Sequence, residues 1–356
     1  MEILDSLVIG AGQAGLSTSY HLTAHDVPHV VLDADDCPGG AWQHRWDSLT
    51  MRDLHGIADL PDAPVPSSST DDTANRFVPG YFADYERAHQ LPVERPVQVD
   101  QVVDEDGILR VEAGDRSWLT RTLVNATGTW SRPFVPHYPG IDSFAGEQFH
   151  TIDYPGPEVL AGRRVVVVGG GASAVQFLGE LAPVAETTWV TRRPPVWRTE
   201  EFTPEAGRAA VALVEDRVSR GLPPESVVSV TGLMLRPQEA EAQRLGAYER
   251  RPMFDRIELD GVRWADQFVP ADVIVWATGF RPAIAHLAPL QLRSINGGVQ
   301  LDGTTAVADP RVQLVGYGPS ASTIGANRAG RVAARSVRRW LTEHVSGTGD
   351  LRRGGE

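Results

Sequence analysis

The pattern of hydrophobic and polar positions repeats one unit twice along the chain. A short apolar run at residues 3–9 leads into the glycine turn GAGQAG (10–15), a helical stretch and a second apolar run that ends at Asp33. The same order returns around the turn GGGASA (169–174), where the closing charged residue is Arg192. In both copies, 23 positions separate the first turn residue from the closing charge. Strand, glycine turn, helix and strand in this order are typical of a parallel βαβ unit, so we expect two such units.

A second pattern follows each unit, an apolar strand that ends at the tripeptide ATG. The tripeptide stands at residues 126–128 and again at 277–279. Between the two units, residues 129–162 are rich in proline, which lacks the backbone donor that a helix interior or a central strand needs. We therefore expect an interdomain connection there. The repeats predict an α/β fold of two Rossmann-like dinucleotide-binding domains, the second inserted into the first.

The repeats also predict where the domains divide. The first domain is discontinuous and comprises residues 1–152 and 280–345, whereas the second comprises residues 153–279. A length of 356 residues agrees with about two domains. Elsewhere the pattern predicts a surface loop at residues 61–79, helices at 204–220 and 326–344, a strand at 312–315 and a flexible tail at 346–356.

Composition excludes several classes of function. With 33 basic and 46 acidic residues the net charge is −13, which repels phosphate backbones and anionic lipids, so we expect no nucleic-acid or membrane partner. Cys37 is the single cysteine, which excludes an intrachain disulfide, a CxxC redox pair and a cysteine zinc site. The acidic start of the chain and the lack of a long apolar window predict a cytoplasmic protein.

Both glycine turns have the surroundings that a dinucleotide requires. Glycines let the backbone approach the pyrophosphate, and the helix N-terminus behind each turn offers free N–H donors. At the first strand end, Asp33 can accept hydrogen bonds from ribose hydroxyls, which suits the adenosine of FAD or NAD. At the second, Arg192 and Arg193 can pair with a 2′-phosphate, which suits NADPH. One flavin and one nicotinamide site on a single chain predict hydride transfer between them.

The order of these motifs resembles the flavin-containing monooxygenases over nearly the whole chain. The most specific match lies before the second turn, where Phe144, Gly146, His150 and Tyr154 resemble the FxGxxxHxxx(W/F) signature, with Tyr in place of Trp or Phe. The segments GGAW (39–42), GAWQH (40–44) and LVGYG (314–318) are similar to the short bacterial members of this family.

The resemblance implies a set of cofactor contacts. For FAD they are Gly10, Gly12, Gly15, Asp33, Gly40, Trp42, Thr127, Gly128 and Gly316. For NADPH they are Gly169, Gly171, Ser173, Ala174, Arg192 and Arg193, and the second ATG adds Thr278 and Gly279.

The resemblance also implies the reaction. In the family, NADPH reduces FAD, and the C4a-hydroperoxyflavin formed with O2 gives one oxygen to a soft nucleophile, such as a sulfide or amine, or to a ketone. Many members carry an Asn near the flavin, and the nearest equivalent here is Arg52, which we take as the candidate catalytic residue. Arg52 can equally pair with Asp53 on the surface, and His55 is a weaker candidate.

Two alternatives stay open at this point. One is an NADPH-dependent flavoprotein reductase acting on a quinone or disulfide, although the related single-cysteine enzymes place their thiol where this chain has Ala14. The other is a non-catalytic sensor of the NADPH/NADP+ ratio. The identity of the small-molecule substrate is not readable, because residues 200–257 match no known motif, and a homodimer stays open as the oligomeric state.

Overall fold

The computed structural model of the chain describes residues 2–54, 57–198, 204–225, 232–233 and 235–345, and the statements below concern these residues. The tail expected at 346–356 and the candidate His55 lie outside them.

Seventeen strands and six α-helices are described. The strands are β1 (Ile3–Ile9), β2 (His29–Leu32), β3 (Val93–Glu94), β4 (Gln101–Glu105), β5 (Ile108–Ala113), β6 (Arg116–Asn125), β7 (Glu147–His150), β8 (Arg164–Val168), β9 (Glu186–Val190), β10 (Arg250–Arg251), β11 (Arg256–Glu258), β12 (Gly261–Trp264), β13 (Gln267–Pro270), β14 (Val273–Trp276), β15 (Leu301–Asp302), β16 (Thr305–Ala306) and β17 (Val312–Leu314). The helices are α1 (Gln13–Ala24), α2 (Ala74–Ala88), α3 (Ala172–Leu181), α4 (Pro204–Ser219), α5 (Ala240–Arg244) and α6 (Thr323–His344). Short 3-10 helices occupy Gly40–Trp42, Met51–Asp53, Ile141–Ser143, Pro237–Glu239, Ala285–Leu290 and Gly318–Ser320.

The larger sheet contains the first repeat. Its nine strands run in the order β15-β16-β17-β6-β1-β2-β3, with β5 and β4 beside β6. The strands from β17 to β3 are parallel, β5 is antiparallel to β6, and β4 is antiparallel to β5. Alternate residues of β1 and β6 face opposite sides, as the period of a strand requires. Val8 and Val124 pack against α1, α2 and α6, whereas Leu7 and Leu123 pack against β4 and β5.

The smaller sheet contains the second repeat. Its five parallel strands run in the order β10-β9-β8-β14-β7. Val165 and Val167 of β8 pack against α3, and Val166 and Val168 pack towards the small antiparallel sheet β11-β12-β13. Because both faces are covered, β8 reads as a continuous apolar run. The two sheets with flanking helices confirm the predicted α/β fold class.

The two connections between the sheets run side by side. The residues after the first ATG pair with those after the second through an antiparallel bridge between Pro133 and Phe280. Backbone hydrogen bonds join Arg281 to Arg132 (2.8 Å) and Phe134 to Gly279 (3.0 Å). The chain thus crosses between the sheets as one paired ribbon.

Residues 61–79 are not a loop throughout, which corrects our expectation. Helix α2 begins at Ala74 and holds Pro79 inside it. Val78, Phe82 and Tyr85 lie on one helical face and are buried against the larger sheet, and this burial outweighs the backbone hydrogen bond that Pro79 removes.

Residues 129–162 also contain an element that we did not expect. Strand β7 pairs in parallel with β14 at the edge of the smaller sheet. It contains no proline, since the prolines of this stretch flank it, and it lies before residue 153, where we placed the start of the second domain. The smaller sheet therefore takes one strand from the segment that we assigned to the first domain.

The last described helix begins at Thr323, three residues earlier than predicted, because the hydroxyl of Ser322 caps it by accepting a hydrogen bond from the backbone N–H of Gly325 (3.1 Å). Among all described helices, none combines the length and the apolar composition that crossing a membrane requires.

Candidate functional site

A cleft opens at the carboxyl ends of β1, β2 and β6, where parallel α/β sheets bind their ligands. Its volume is about 380 Å³, within the range of small-molecule sites. Eight of the nine residues predicted to contact FAD line it, namely Gly10, Gly12, Asp33, Gly40, Trp42, Thr127, Gly128 and Gly316. The structure therefore brings together residues that are up to 306 positions apart in sequence.

The glycines of the first turn differ in the reason why each lacks a side chain. A Cβ at Gly10 would lie 2.7 Å from the carbonyl oxygen of Ala126, and φ is +100° there. A Cβ at Gly15 would overlap the carbonyl oxygen of Gly10. At Gly12 the nearest atom is the Cα of Gly40, 4.0 Å away. Gly10 and Gly15 thus allow helix and strand to pack closely, whereas Gly12 leaves space that a ligand can approach. Gly15, the ninth predicted contact, does not line the cleft.

Asp33 lies buried at the end of β2 with a fixed orientation. Its Oδ1 accepts a hydrogen bond from the N–H of Ala11 (3.2 Å), and its Oδ2 accepts one from Nε of Arg95 (3.2 Å). Arg95 in turn forms two hydrogen bonds with the carboxylate of Glu86 (2.7 and 2.8 Å). Burial raises the pKa of Asp33, while Ala11 and Arg95 oppose that shift. The remaining lone pairs of this carboxylate suit hydroxyl donors. Arg95 escaped the sequence analysis because no motif marks it.

Two helix N-termini face the cleft. The first is that of α1, where Gln13 lines the wall, and the second is that of α6, where Ser322 and Thr323 do so. Free N–H groups and the helix dipole make such ends favourable for anions. The glycine turn predicts the first of these ends from the sequence, whereas no sequence motif marks the second.

A hydrogen-bonded polar row lies beside the first ATG, with Asn125 buried and Thr127 and His286 half-buried. Thr127 accepts a hydrogen bond from the side-chain amide of Asn125 (3.0 Å) and donates one to the carbonyl of Ala283 (2.7 Å). Nε2 of His286 donates to Oδ1 of Asn125 (2.7 Å). Burial lowers the pKa of His286 to about 4, so its ring is neutral at physiological pH.

The second turn repeats the design of the first. A Cβ at Gly169 would overlap the carbonyl oxygen of Ala277, just as Gly10 meets Ala126, and nothing lies within 4 Å of a Cβ at Gly171. Ala174 is fully buried at the position that corresponds to Gly15, and Ser173 lies in the first turn of α3.

Arg192 and Arg193 follow β9 and are both exposed. No described carboxylate lies within ion-pairing distance of either side chain. The carbonyl of Arg193 accepts a hydrogen bond from the hydroxyl of Thr191 (2.6 Å), which also accepts one from Nε of Arg250 (2.7 Å). Besides the two predicted arginines, this strand end therefore contains Arg250, which we did not predict.

The second ATG and the residues that match the FxGxxxHxxx(W/F) signature stabilise the smaller sheet and the segments packed against it, which we call the second lobe. The hydroxyl of Thr278 donates to the carbonyl of Phe134. Nε2 of His150 donates to the carbonyl of Gly279 (3.0 Å), and burial lowers the pKa of this histidine. Tyr154 stacks on Phe177 with a centroid distance of 4.0 Å. A Cβ at Gly146 would overlap the carbonyl oxygen of Asp272, and Phe144 is buried beside β12. Their role in this structure is packing.

Arg52 lies on the 3-10 helix Met51–Asp53 with its side chain exposed, and it does not line the cleft. The alternative partner, Asp53, accepts hydrogen bonds from the backbone N–H (3.3 Å) and the hydroxyl (2.6 Å) of Thr50. The carbonyl of Asp53 accepts one from the side chain of Gln176 on α3 (2.9 Å). This segment therefore docks onto the second lobe.

Comparison with known proteins agrees with this geometry. The model of the pyridine nucleotide-disulphide oxidoreductase family matches residues 7–207. The solved flavin-containing monooxygenase of Stenotrophomonas maltophilia is 37% identical, covers 96% of this chain and 100% of its own, and superposes with a TM-score of 0.83.

Curated relatives match over shorter stretches. The uncharacterized oxidoreductase CzcO-like of Geobacillus kaustophilus is 29% identical over 181 residues, which are 51% of this chain and 52% of that protein. The probable indole-3-pyruvate monooxygenase YUCCA8 of Arabidopsis thaliana is 31% identical over 187 residues, 49% of this chain and 44% of that protein. The chain thus spans about half the length of these relatives. Together with the two glycine turns and the full-length structural match, these findings show that the chain belongs to the pyridine nucleotide-disulphide oxidoreductase family and, within it, to the flavin monooxygenases.

Proposed function

We propose that the protein is an FAD-dependent, NADPH-oxidising monooxygenase that inserts one oxygen atom of O2 into a small molecule, either a soft nucleophile such as a sulfide or amine, or a ketone. The observation that carries this proposal is the pair of glycine turns of one design, open at Gly12 and at Gly171, whose strand ends carry opposite charge. The full-length likeness to a flavin monooxygenase supports it.

The described residues fit the two cofactors. For FAD, the cleft offers an open backbone at Gly12, two helix N-termini for the pyrophosphate and the Asp33 carboxylate for the ribose. For NADPH, Gly171 leaves the backbone open, and Arg192 and Arg193 can pair with the 2′-phosphate. Bound FAD supplies the transfer of electrons from NADPH to dioxygen.

The chain contributes positions and surroundings for that chemistry. Asp33 would orient the ribose of FAD through a carboxylate that Arg95 and Ala11 hold in place. The rings of Trp42, Trp130 and Phe280 contribute flat apolar surface to the lining of the cleft, the kind of surface that shields a reactive intermediate from water. We propose further that the protein acts in the cytoplasm, where NADPH is available.

The test uses the FAD-loaded protein in two stages. Mixing with NADPH without oxygen should bleach the visible flavin absorbance, and NADH should do so less well. Adding isotopically labelled dioxygen with a panel of sulfides, amines and ketones should then give products that carry one labelled oxygen atom.

Other outcomes would identify another function. Hydrogen peroxide without any labelled product would indicate an oxidase. Rapid turnover of a quinone or disulfide without oxygen would indicate a reductase, and bound FAD that NADPH does not reduce would indicate a sensor. For a disulfide substrate the chain offers a single cysteine, Cys37, which is exposed.

A further inference from the structure

Helix α6 carries a row of arginines on its solvent side. Arg331 and Arg335 are four positions apart, and Arg338 and Arg339 follow Arg335 at three and four positions, so the four share one side of the helix. All four are exposed. Because the chain as a whole has a net charge of −13, this row is opposite in sign to the average surface.

Contacts within the fold do not account for this concentration of positive charge. No carboxylate in the described part of the chain lies within 4.0 Å of any of the four guanidinium groups. The helix dipole favours cations in the last turn only, and Arg339 precedes the last helical residue, His344, by five positions. Like charges four positions apart repel each other, as Arg331 and Arg335 do. An anion bound from solution would relieve that repulsion.

A groove of suitable size runs along this row, between α6 and the end of α1. Its volume is about 360 Å³, close to that of the cofactor cleft and within the range of small-molecule sites. We call it the arginine groove, and its lining residues are His25, Arg335, Arg338, Arg339, Thr342 and Glu343. With the histidine neutral, three guanidinium groups and one carboxylate give this lining a net charge of +2.

The electrostatics of α1 show that the arginines act across the groove. His21 of α1 is half-buried, and burial is the main cause that lowers its pKa to about 4. The charges of Arg331 and Arg335 lower it further, as does His25, whereas Asp62 opposes the shift. The positive potential of α6 therefore extends over the neighbouring end of α1.

The arginine groove is separate from the cofactor cleft. No residue lines both. The N-termini of α1 and α6 face the cleft, whereas the groove lies towards the opposite ends of the same two helices. Arg335 follows Thr323 by 12 positions, which corresponds to about 18 Å along the helix axis. The cradle at the helix N-termini therefore leaves the arginines of the groove without a partner.

The arrangement favours a small ligand with more than one phosphate group. Guanidinium groups pair with phosphate oxygens through two parallel hydrogen bonds. Arg335 and Arg339 are separated by about 6 Å along the helix axis, which exceeds the width of a single phosphate. A single carboxylate carries less charge than the +2 of the lining. A long polyanion such as a nucleic acid would also meet the acidic remainder of the surface, which repels it.

We propose that the arginine groove binds a small ligand through a diphosphate group, either free diphosphate or the diphosphate of a nucleotide. Arg335, Arg338 and Arg339 donate hydrogen bonds to the phosphate oxygens. Glu343, on the wall of the groove, opposes the binding of any anion and so limits the affinity. The inference does not depend on the proposed function, because none of the groove residues lines the cofactor cleft.

The test measures binding by calorimetry on the FAD-loaded protein. The probes are inorganic phosphate, diphosphate and ADP, and an oligothymidylate is the probe for nucleic acid. The main variant combines Arg335→Gln, Arg338→Gln and Arg339→Gln. The matched control is Arg328→Gln, which removes an exposed arginine of the same helix outside the groove. Thermal unfolding checks that each variant is folded.

We expect diphosphate to bind the unmodified protein more tightly than phosphate does. The triple variant should lose about 100-fold in diphosphate affinity, since each exposed charge pair contributes a factor of about 5. Arg328→Gln should have little effect, because it lies about 10 Å along the helix from Arg335 and salt screens charges beyond about 8 Å. Glu343→Gln should have the opposite effect and tighten diphosphate binding.

A second control separates the groove from the proposed NADPH site. Alanine at both Arg192 and Arg193 should leave diphosphate binding unchanged. A comparison of ADP with diphosphate then distinguishes the two sources, because tighter binding of ADP would identify a nucleotide and weaker binding would identify free diphosphate.

Three results would overturn the inference. Equal affinities for phosphate and diphosphate would show that the groove does not recognise a diphosphate. Diphosphate affinity that survives in the triple variant, or that is lost with Arg192 and Arg193, would place the anion elsewhere. Oligothymidylate that binds more tightly than diphosphate and requires the same three arginines would assign the row to nucleic acid.

Discussion

Glu180 carries a buried carboxyl group that should link the stability of the protein to pH. It lies on α3, and its Oε1 is buried without a hydrogen bond among the described residues. Burial raises the pKa of Glu180 to about 7, from an ordinary value of 4.5. The hydroxyls of Ser48 and Tyr154 oppose this shift, and the negative charges of Asp53 and Glu158 add to it.

The sign of the effect follows from proton binding. Between about pH 4.5 and 7 the folded protein holds a proton on Glu180 that the unfolded chain has released, so stability falls as pH rises through this window. The gap between the two pKa values corresponds to about 3 kcal/mol at most. Glu180→Gln keeps the shape of the protonated side chain and cannot ionise. We expect it to match the unmodified protein at pH 4.5 and to exceed its free energy of unfolding by up to about 3 kcal/mol at pH 8.

The assay is denaturant unfolding of both proteins at several pH values from 4.5 to 8. Glu343→Gln on α6 is the control, since this glutamate is exposed and far from α3. Taking the difference between variant and unmodified protein cancels every other titrating group. Parallel curves for Glu180→Gln and the unmodified protein, with no gap opening above pH 6, would refute the reasoning.

Three further predictions concern the cofactors and Arg52. Gly12→Val should keep the fold, because φ at Gly12 is −74° and a Cβ there meets nothing closer than 4.0 Å, but it should abolish FAD retention. Gly171→Val should keep FAD and raise KM for NADPH, so flavin content and KM of the two variants serve as mutual controls. Alanine at both Arg192 and Arg193 should raise KM for NADPH by about 10-fold or more and leave that for NADH nearly unchanged, whereas equal losses would reject the 2′-phosphate interpretation. Because Arg52 is exposed outside the cleft, Arg52→Asn should not change the hydrogen peroxide formed per NADPH, and a clear decrease would restore its catalytic role.

The architecture was predictable because its signals are local. A strand, a glycine turn and a helix occupy about 25 consecutive residues, and the turn can be recognised without knowing what packs on it. For the same reason the residues at the strand ends, such as Asp33 and Gly12, were found in the cleft. The ends of parallel strands meet at one edge of the sheet whatever the rest of the chain does.

What escaped prediction depends on contacts between distant segments. Arg95 lies 62 positions from Asp33, and no spacing rule links them. Arg45 and Trp130 meet because the segments that follow β2 and β6 come together at the cleft, which the sequence does not show residue by residue. Gly15 illustrates a different limit, because a glycine required for close packing is indistinguishable in sequence from one required for ligand approach.

The two ATG tripeptides show how one short motif serves both lobes at once. In each, the alanine carbonyl is the group that forbids a side chain at the first glycine of the turn, Gly10 or Gly169. In each, the threonine hydroxyl donates to a carbonyl of the opposite connection, Thr127 to Ala283 and Thr278 to Phe134. Because the same residues shape a cofactor turn and fasten the crossing ribbon, the relative position of the two proposed cofactor sites is set at these strand ends. A change at either threonine should therefore disturb the coupling between the sites as well as the affinity of its own cofactor site.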